Sequence, residues 1–171
     1  GGASSPEGGA RPPQLSAVLA SPPILLSFLV IFFFNFAFSC TEAALAPVAQ
    51  HALGWTQVRI SLVYTLLSVV VMASGAGVAL ASYAAPDAAL LATGLLTASA
   101  GYTVLFFMWT RHVTPAGFVA PLLASASAFP FMAAPNRALF TMEADRLGLG
   151  GAQGLFQGLL SVVASLGGAT A

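Results

Sequence analysis

Long apolar stretches separated by short polar breaks run along this chain from residue 24 to its end. Each stretch holds roughly twenty predominantly apolar residues, which is about the length that an α-helix needs to cross a bilayer. The five stretches cover residues 24–46, 60–83, 88–109, 114–146 and 152–171. A tight connector around Pro86 predicts that the second and third form an antiparallel hairpin. The pattern therefore predicts an all-α, polytopic transmembrane helix bundle of about five spans, with the lipid bilayer as its partner.

The N-terminal end of the sequence departs from this apolar pattern, and the C-terminal end stops within an apolar stretch. Residues 1–23 are rich in Gly, Pro and Ser, which predicts a flexible linker and lead-in to a transmembrane bundle over 24–171. The chain begins with Gly1 rather than Met, and the last apolar stretch is still running at Ala171. We therefore interpret the sequence as a fragment of a longer protein.

Composition supports a membrane location and disfavours two classes of function. Hydrophobic residues make up 58% of the chain, charged residues 6%, and the mean hydropathy is +0.91; a water-soluble surface could not be built from these proportions. Five basic residues balance five acidic ones, so no basic patch is available for phosphates and no nucleic acid is expected as a partner. The single cysteine, Cys40, cannot form an internal disulfide.

A polar stripe interrupts the phenylalanine-rich first span. Asn35, Ser39 and Glu42 fall within an arc of about 60° on one helix face, because each residue advances about 100°. An ionisable group inside a span costs on the order of 3 kcal/mol or more unless it is paired, protonated or hydrated. Two interpretations stay open. Either the stripe lines a substrate or proton path, or Glu42 lies near the membrane edge and pairs with Arg59.

The fourth stretch is irregular and ends in charged residues. It contains several prolines, so kinks are expected. Glu143 is well placed to pair with Arg146 at i, i+3, whereas Arg137 is poorly placed for Glu143. These residues form either a surface ion pair or a gate whose charge pairs break and re-form.

The fifth stretch opens with small residues at four-residue intervals. Gly150, Gly154 and Gly158 share one face, which predicts close packing against another helix. Gln153 and Gln157 lie nearby, and we expect them to form hydrogen bonds between helices, with binding of a solute as the alternative.

Residue types that serve in catalysis or metal binding are sparse and scattered. His51 and His112 lie in breaks between spans, without a cysteine or carboxylate at ligand spacing. No nucleophile and base pairing, phosphate-binding glycine loop or metalloprotease motif is present in the sequence. We therefore expect neither an enzyme nor a cofactor nor a metal site.

Two blocks of short motifs resemble the C-terminal half of a major facilitator superfamily transporter, with the spans matching its seventh to eleventh helices. The first block comprises Asn35-Phe36, Thr41-Glu42, Pro47 and Gly54-Trp55-Thr56-Gln57. The second comprises Phe129-Pro130, Asn136, Gln153-Gly154 and Gly158. Within the superfamily the chain is most similar to the lysosomal, neuronal-ceroid-lipofuscinosis-type branch, related to the membrane part of SPX-domain vacuolar transporters. The charged gating loop of the superfamily is reduced here to Tyr83-Ala84-Ala85-Pro86-Asp87.

The resemblance implies a secondary active transporter that moves a small molecule or ion by alternating access. It implies a multi-pass protein of a lysosomal or vacuolar membrane, with a missing N-terminal half as partner. An ion channel could use the same polar stripe, and a membrane scaffold would use it only for packing, so both remain as alternatives.

Overall fold

The computed structural model describes residues 21–110, 113–148 and 153–170. They form five α-helices: α1 (Pro22–Leu53), α2 (Gln57–Ala81), α3 (Asp87–Thr110), α4 (Pro115–Arg146) and α5 (Gln153–Ala169). These ranges contain no strand, so the predicted all-α fold is confirmed for them. Residues 1–20 of the predicted linker (1–23) and Gly150 lie outside the described residues, and the last two linker residues, Pro22 and Pro23, belong to α1.

Prolines and a glycine set the limits of α1. Pro22 and Pro23 occupy its first turn, where the backbone N–H that proline lacks has no partner in the helix. The helix continues through Pro47 and so passes the predicted end of the first span at 46. Gly54 ends it with a φ of 62°, and the Gly54 N–H donates to the Gln50 carbonyl at 3.1 Å. A left-handed glycine cap, rather than the internal proline, therefore terminates α1.

Helix length and apolar character make this chain an integral, multi-pass membrane protein. Helices α1 to α4 are each long and apolar enough to cross a membrane, and α5 is a shorter apolar helix of 17 residues. Helix α2 turns large apolar side chains outward, among them Met72, which is 76% exposed. A bilayer solvates such side chains, whereas water would not.

The helices do not pack in chain order. The most extensive contact joins α3 to α4; α4 also packs on α2 and α1, and α1 packs on α5. A short turn joins α2 to α3, yet the extensive contact of α2 is with α4. Two glycines bring α3 close to α4: a Cβ added at Gly94 would lie 2.8 Å from Met132 Cγ, and one at Gly101 would lie 3.0 Å from the Pro121 carbonyl oxygen.

Three apolar clusters hold the bundle together, one at each end and one in the middle. At one end, α1, α4 and α5 meet around Phe28, Phe140 and Phe156. At the other end, α1 to α4 meet around Leu45 and Phe118. A third cluster joins the middle of α1 to α3 and α4, with these buried members: Phe34, Ala98, Ala128 and Met132.

The structure shows no described helix packed against the two glycines of α5 that it describes, so their predicted packing role stays a prediction. A Cβ added at Gly154 or Gly158 would have no described atom within 4 Å. The helix turns the face with Phe156 and Leu160 inward, and at 100° per residue both glycines lie on the opposite side. The close approach of α5 to α1 occurs instead at Gly167, where an added Cβ would collide with the backbone of Phe32.

Candidate functional site

The polar stripe of α1 occupies one side of the helix and becomes more exposed along its length. The Asn35 side chain is half-buried, and its amide donates to the Ile31 carbonyl at 2.7 Å. Ser39 is also half-buried and faces α5, where a Cβ added at Gly168 would lie 3.3 Å from Ser39 Oγ. Glu42 is exposed. The stripe therefore runs from a helix contact to an open surface.

Glu42 contacts α2 through its backbone rather than its carboxylate. The Tyr64 hydroxyl donates to the Glu42 carbonyl oxygen at 3.1 Å. Arg59 is exposed as well, and it forms no ion pair with Glu42 within the described part of the chain. The interpretation in which these two residues pair and fix two helices is therefore not what the structure shows.

A small cavity lies between α1, α4 and α5, at the end of the polar stripe that carries Asn35. Its volume is about 70 Å³. Three polar residues, Asn35, Asn136 and Arg137, share its wall with apolar side chains. Asn136 is 1% exposed, and its amide donates to the Ser27 carbonyl at 3.1 Å across the α1–α4 contact.

Asn136 is the residue of this cavity that sequence reasoning did not place in a site. In the sequence it is an amide that follows Pro135 in an irregular stretch, and its only assigned significance is as part of a motif that resembles the major facilitator superfamily. Its burial could have been anticipated only from a contact with α1, 109 residues away along the chain. Arg137 was placed among possible gate residues, and the structure places it beside Asn35 on the cavity wall.

Arg137 is exposed and forms no ion pair with a described residue. The 32 residues of α4 extend about 48 Å, against a hydrocarbon core of about 30 Å. Arg137 lies nine residues before the helix end at Arg146, or about 14 Å along the axis. In a centred helix its Cα would therefore be about 5 Å inside the core.

Glu42 lies at a comparable depth from the other side. It precedes the end of α1 at Leu53 by eleven residues, or about 16 Å, in a helix that is also 32 residues long. In a centred helix it would be about 7 Å inside the core. Among the described residues, Glu42 and Arg137 thus expose one acid and one base within the depth of the membrane, and Asn35 shares a helix face with Glu42 and a cavity wall with Arg137.

The remaining charged residues of α4 form a separate group at the end of the helix. Arg146 makes the predicted i, i+3 pair with Glu143 at 3.6 Å, and its side chain is 81% exposed. Glu143 also accepts a hydrogen bond of 3.2 Å from the Ser21 hydroxyl, at the start of α1. This group ties the two helix ends together, and a gating role for it stays a prediction.

Two other sequence predictions concern hydrogen bonds and metals. Gln157 donates to the Thr141 hydroxyl at 3.1 Å and so joins α5 to α4, as predicted. The Gln153 side chain and His112 lie outside what the structure describes. Among the residues that it does describe, no three His, Cys, Asp or Glu side chains are grouped to hold a metal ion.

Comparison with known proteins identifies no relative of this chain. A scan against protein-family models, a search of curated proteins and a search of solved structures all find no match to this chain. The resemblance to the major facilitator superfamily therefore stays a prediction that rests on the short motifs.

Proposed function

We propose that this chain is part of a secondary active transporter that moves a small solute across a membrane by alternating access. One observation carries the proposal: Glu42 and Arg137 are both exposed at membrane depth, without forming an ion pair with each other or with another described residue, and Asn35 shares a helix face with Glu42 and a cavity wall with Arg137. A charged side chain that faces lipid costs about 2.5–3.5 kcal/mol at the core centre on insertion scales, and less at the depth of Glu42 and Arg137. Both side chains are therefore more stable where they meet water or another protein segment.

A solute path between two halves of a transporter supplies such surroundings. In transporters built from repeats, substrate and coupling-ion sites lie near the bilayer midplane, at the interface between the repeats. The polar surface of α1 and α4 would form one wall of that path, and a further half of the protein would form the other. The resemblance to the major facilitator superfamily supports this arrangement, and its lysosomal branch is the basis for proposing a lysosomal or vacuolar membrane.

Glu42 is the residue that we assign to proton coupling. It is the exposed acid within the depth of the membrane, and the Tyr64 hydroxyl donates to its backbone carbonyl oxygen. A carboxylate on the wall of a solute path can exchange a proton with water when the path opens to one side or the other. Glu143, in contrast, is engaged with Ser21 and Arg146 at the helix end.

Glu42→Gln tests the assignment in full-length protein reconstituted into liposomes that contain a pH-sensitive dye. A panel of sugars, amino acids, carboxylates and phosphate is offered, and solute-dependent proton entry is recorded. We expect Glu42→Gln to reduce proton entry to the level of protein-free liposomes, because glutamine keeps the shape but cannot titrate. Glu143→Gln is the matched control and should retain proton entry. Unchanged solute uptake with unchanged pH dependence in Glu42→Gln would refute the coupling role.

The two alternative classes predict different results in the same vesicles. An ion channel would give currents that exceed carrier rates and do not saturate with solute. A scaffold would show no flux for any solute, and variants at Gly154 and Gly158, which face away from the bundle, would release a partner protein.

A further inference from the structure

The small cavity between α1, α4 and α5 allows the class of solute to be inferred. The geometry points to a binding site for a free small carboxylate, with Arg137 as the charge partner and the amides of Asn35 and Asn136 as hydrogen-bond partners. This inference rests on the proposed transport function and adds the chemical class of what is carried.

The charge of the cavity wall selects an anion. Arg137 is the charged residue among those that line the cavity, and no acid lines it. The guanidinium also forms no ion pair elsewhere in the described chain. A cation would be repelled, and a neutral solute would leave the arginine without a counter-charge at membrane depth.

The hydrogen-bonding groups of the wall suit a group with two oxygens. Asn136 uses one amide proton on the Ser27 carbonyl, and Asn35 uses one on the Ile31 carbonyl. An amide carries two protons, so each asparagine retains one for a ligand. The planar guanidinium of Arg137 offers paired N–H groups that match the two oxygens of a carboxylate. Because Asn136 is 1% exposed and held across a helix contact, its amide is already in place before a ligand arrives.

Size and apolar lining limit the ligand further. A volume of about 70 Å³ holds only a few water molecules, since each needs about 10–15 Å³ by this measure. A carboxylate with a short aliphatic part fits this space, with its carbons against these apolar residues: Phe34, Phe129 and Met132.

The test uses acetate as the probe and purified full-length protein in phosphatidylcholine nanodiscs. Saturation transfer to the acetate methyl protons reports binding without requiring transport. We expect Arg137→Gln to raise the apparent Kd about tenfold or more, because a hydrogen-bonded charge partner is lost. Arg137→Lys keeps the positive charge but lacks the paired N–H groups of the guanidinium, so its Kd should lie between those of the parent and Arg137→Gln. Arg59→Gln removes an exposed arginine outside the cavity and should leave the Kd within about twofold of the parent. Equal acetate binding in all four proteins would overturn the inference.

Further arms separate the possible sources of the anion and separate this inference from the transport proposal. Displacement of acetate by phosphatidylserine added to the nanodiscs would overturn a free solute in favour of a lipid headgroup. Displacement by phosphate or chloride at concentrations below that of acetate would overturn the carboxylate class. Arg137-dependent acetate binding without acetate uptake into liposomes would uphold the site and refute transport of this solute. Uptake that depends on Glu42, without Arg137-dependent acetate binding, would refute the site and leave the transport proposal standing.

Discussion

Gly94 tests whether the close approach of α3 to α4 holds the bundle together. An added Cβ at this position would lie 2.8 Å from Met132 Cγ, 2.9 Å from Phe131 Cβ and 3.0 Å from the Phe131 backbone carbon. All three distances are shorter than ordinary carbon contacts of about 3.5–4.0 Å. The Gly94→Ala variant must therefore shift one helix relative to the other.

The expected size follows from two opposing effects. Forcing an extra methyl group into a packed contact costs typically about 1–3 kcal/mol. Replacing glycine by alanine within a helix returns up to about 1 kcal/mol. Gly77 in α2 provides a matched control, because a Cβ added there would have no neighbour within 4 Å and only the second effect applies. We expect Gly94→Ala to be about 2 kcal/mol less stable than Gly77→Ala, with Gly77→Ala at or slightly above the parent.

Reversible unfolding of the full-length protein in mixed micelles, followed by circular dichroism, measures this difference in the free energy of unfolding. The parent protein and both alanine variants are compared in the same lipid and detergent. Equal stability of Gly94→Ala and Gly77→Ala would refute the reasoning, since it would mean that α3 and α4 are not in close contact at Gly94.

Two further substitutions test the hydrogen bonds and ion pairs of α4 by the same unfolding measurement. Asn136→Leu removes the bond to the Ser27 carbonyl and should cost about 0.6–1.7 kcal/mol, the range for polar contacts between membrane helices. Asn136→Asp places a carboxylate against the same carbonyl and should cost more; an aspartate variant as stable as the leucine variant would contradict the burial of this site. Arg146→Gln should change stability by less than about 0.5 kcal/mol, because an 81% exposed arginine gains little from its pair with Glu143. A larger loss would show that the pair has a structural role.

The membrane class and the polar stripe could be predicted from sequence because each depends on neighbouring residues. Apolar stretches of about twenty residues predict spans whatever their partners are. The spacing of Asn35, Ser39 and Glu42 places them on one helix face through helix geometry alone. The pair of Glu143 and Arg146 is likewise local, since it joins residues three apart.

Features that depend on a partner helix could not be predicted from the sequence. Gly154 and Gly158 have the spacing of a packing motif, but spacing does not tell which side of α5 faces the bundle, and Phe156 and Leu160 take that side. Glu42 and Arg59 were plausible partners in the sequence, yet both are exposed and unpaired with each other.

The sequence by itself determined that this protein is an all-α bundle in lipid and that a polar stripe interrupts its first helix. Both properties follow from the composition and periodicity of single segments. A segment that is long and apolar enough crosses the bilayer as a helix whichever helices surround it. Only the tertiary structure decided that α4 is the common partner of α1, α2 and α3, and that Asn35, Asn136 and Arg137 share one cavity. In lipid, all apolar helix faces are about equally well solvated, so hydrophobic periodicity alone selects no neighbour. Close fit at glycines and hydrogen bonds between distant segments make that choice.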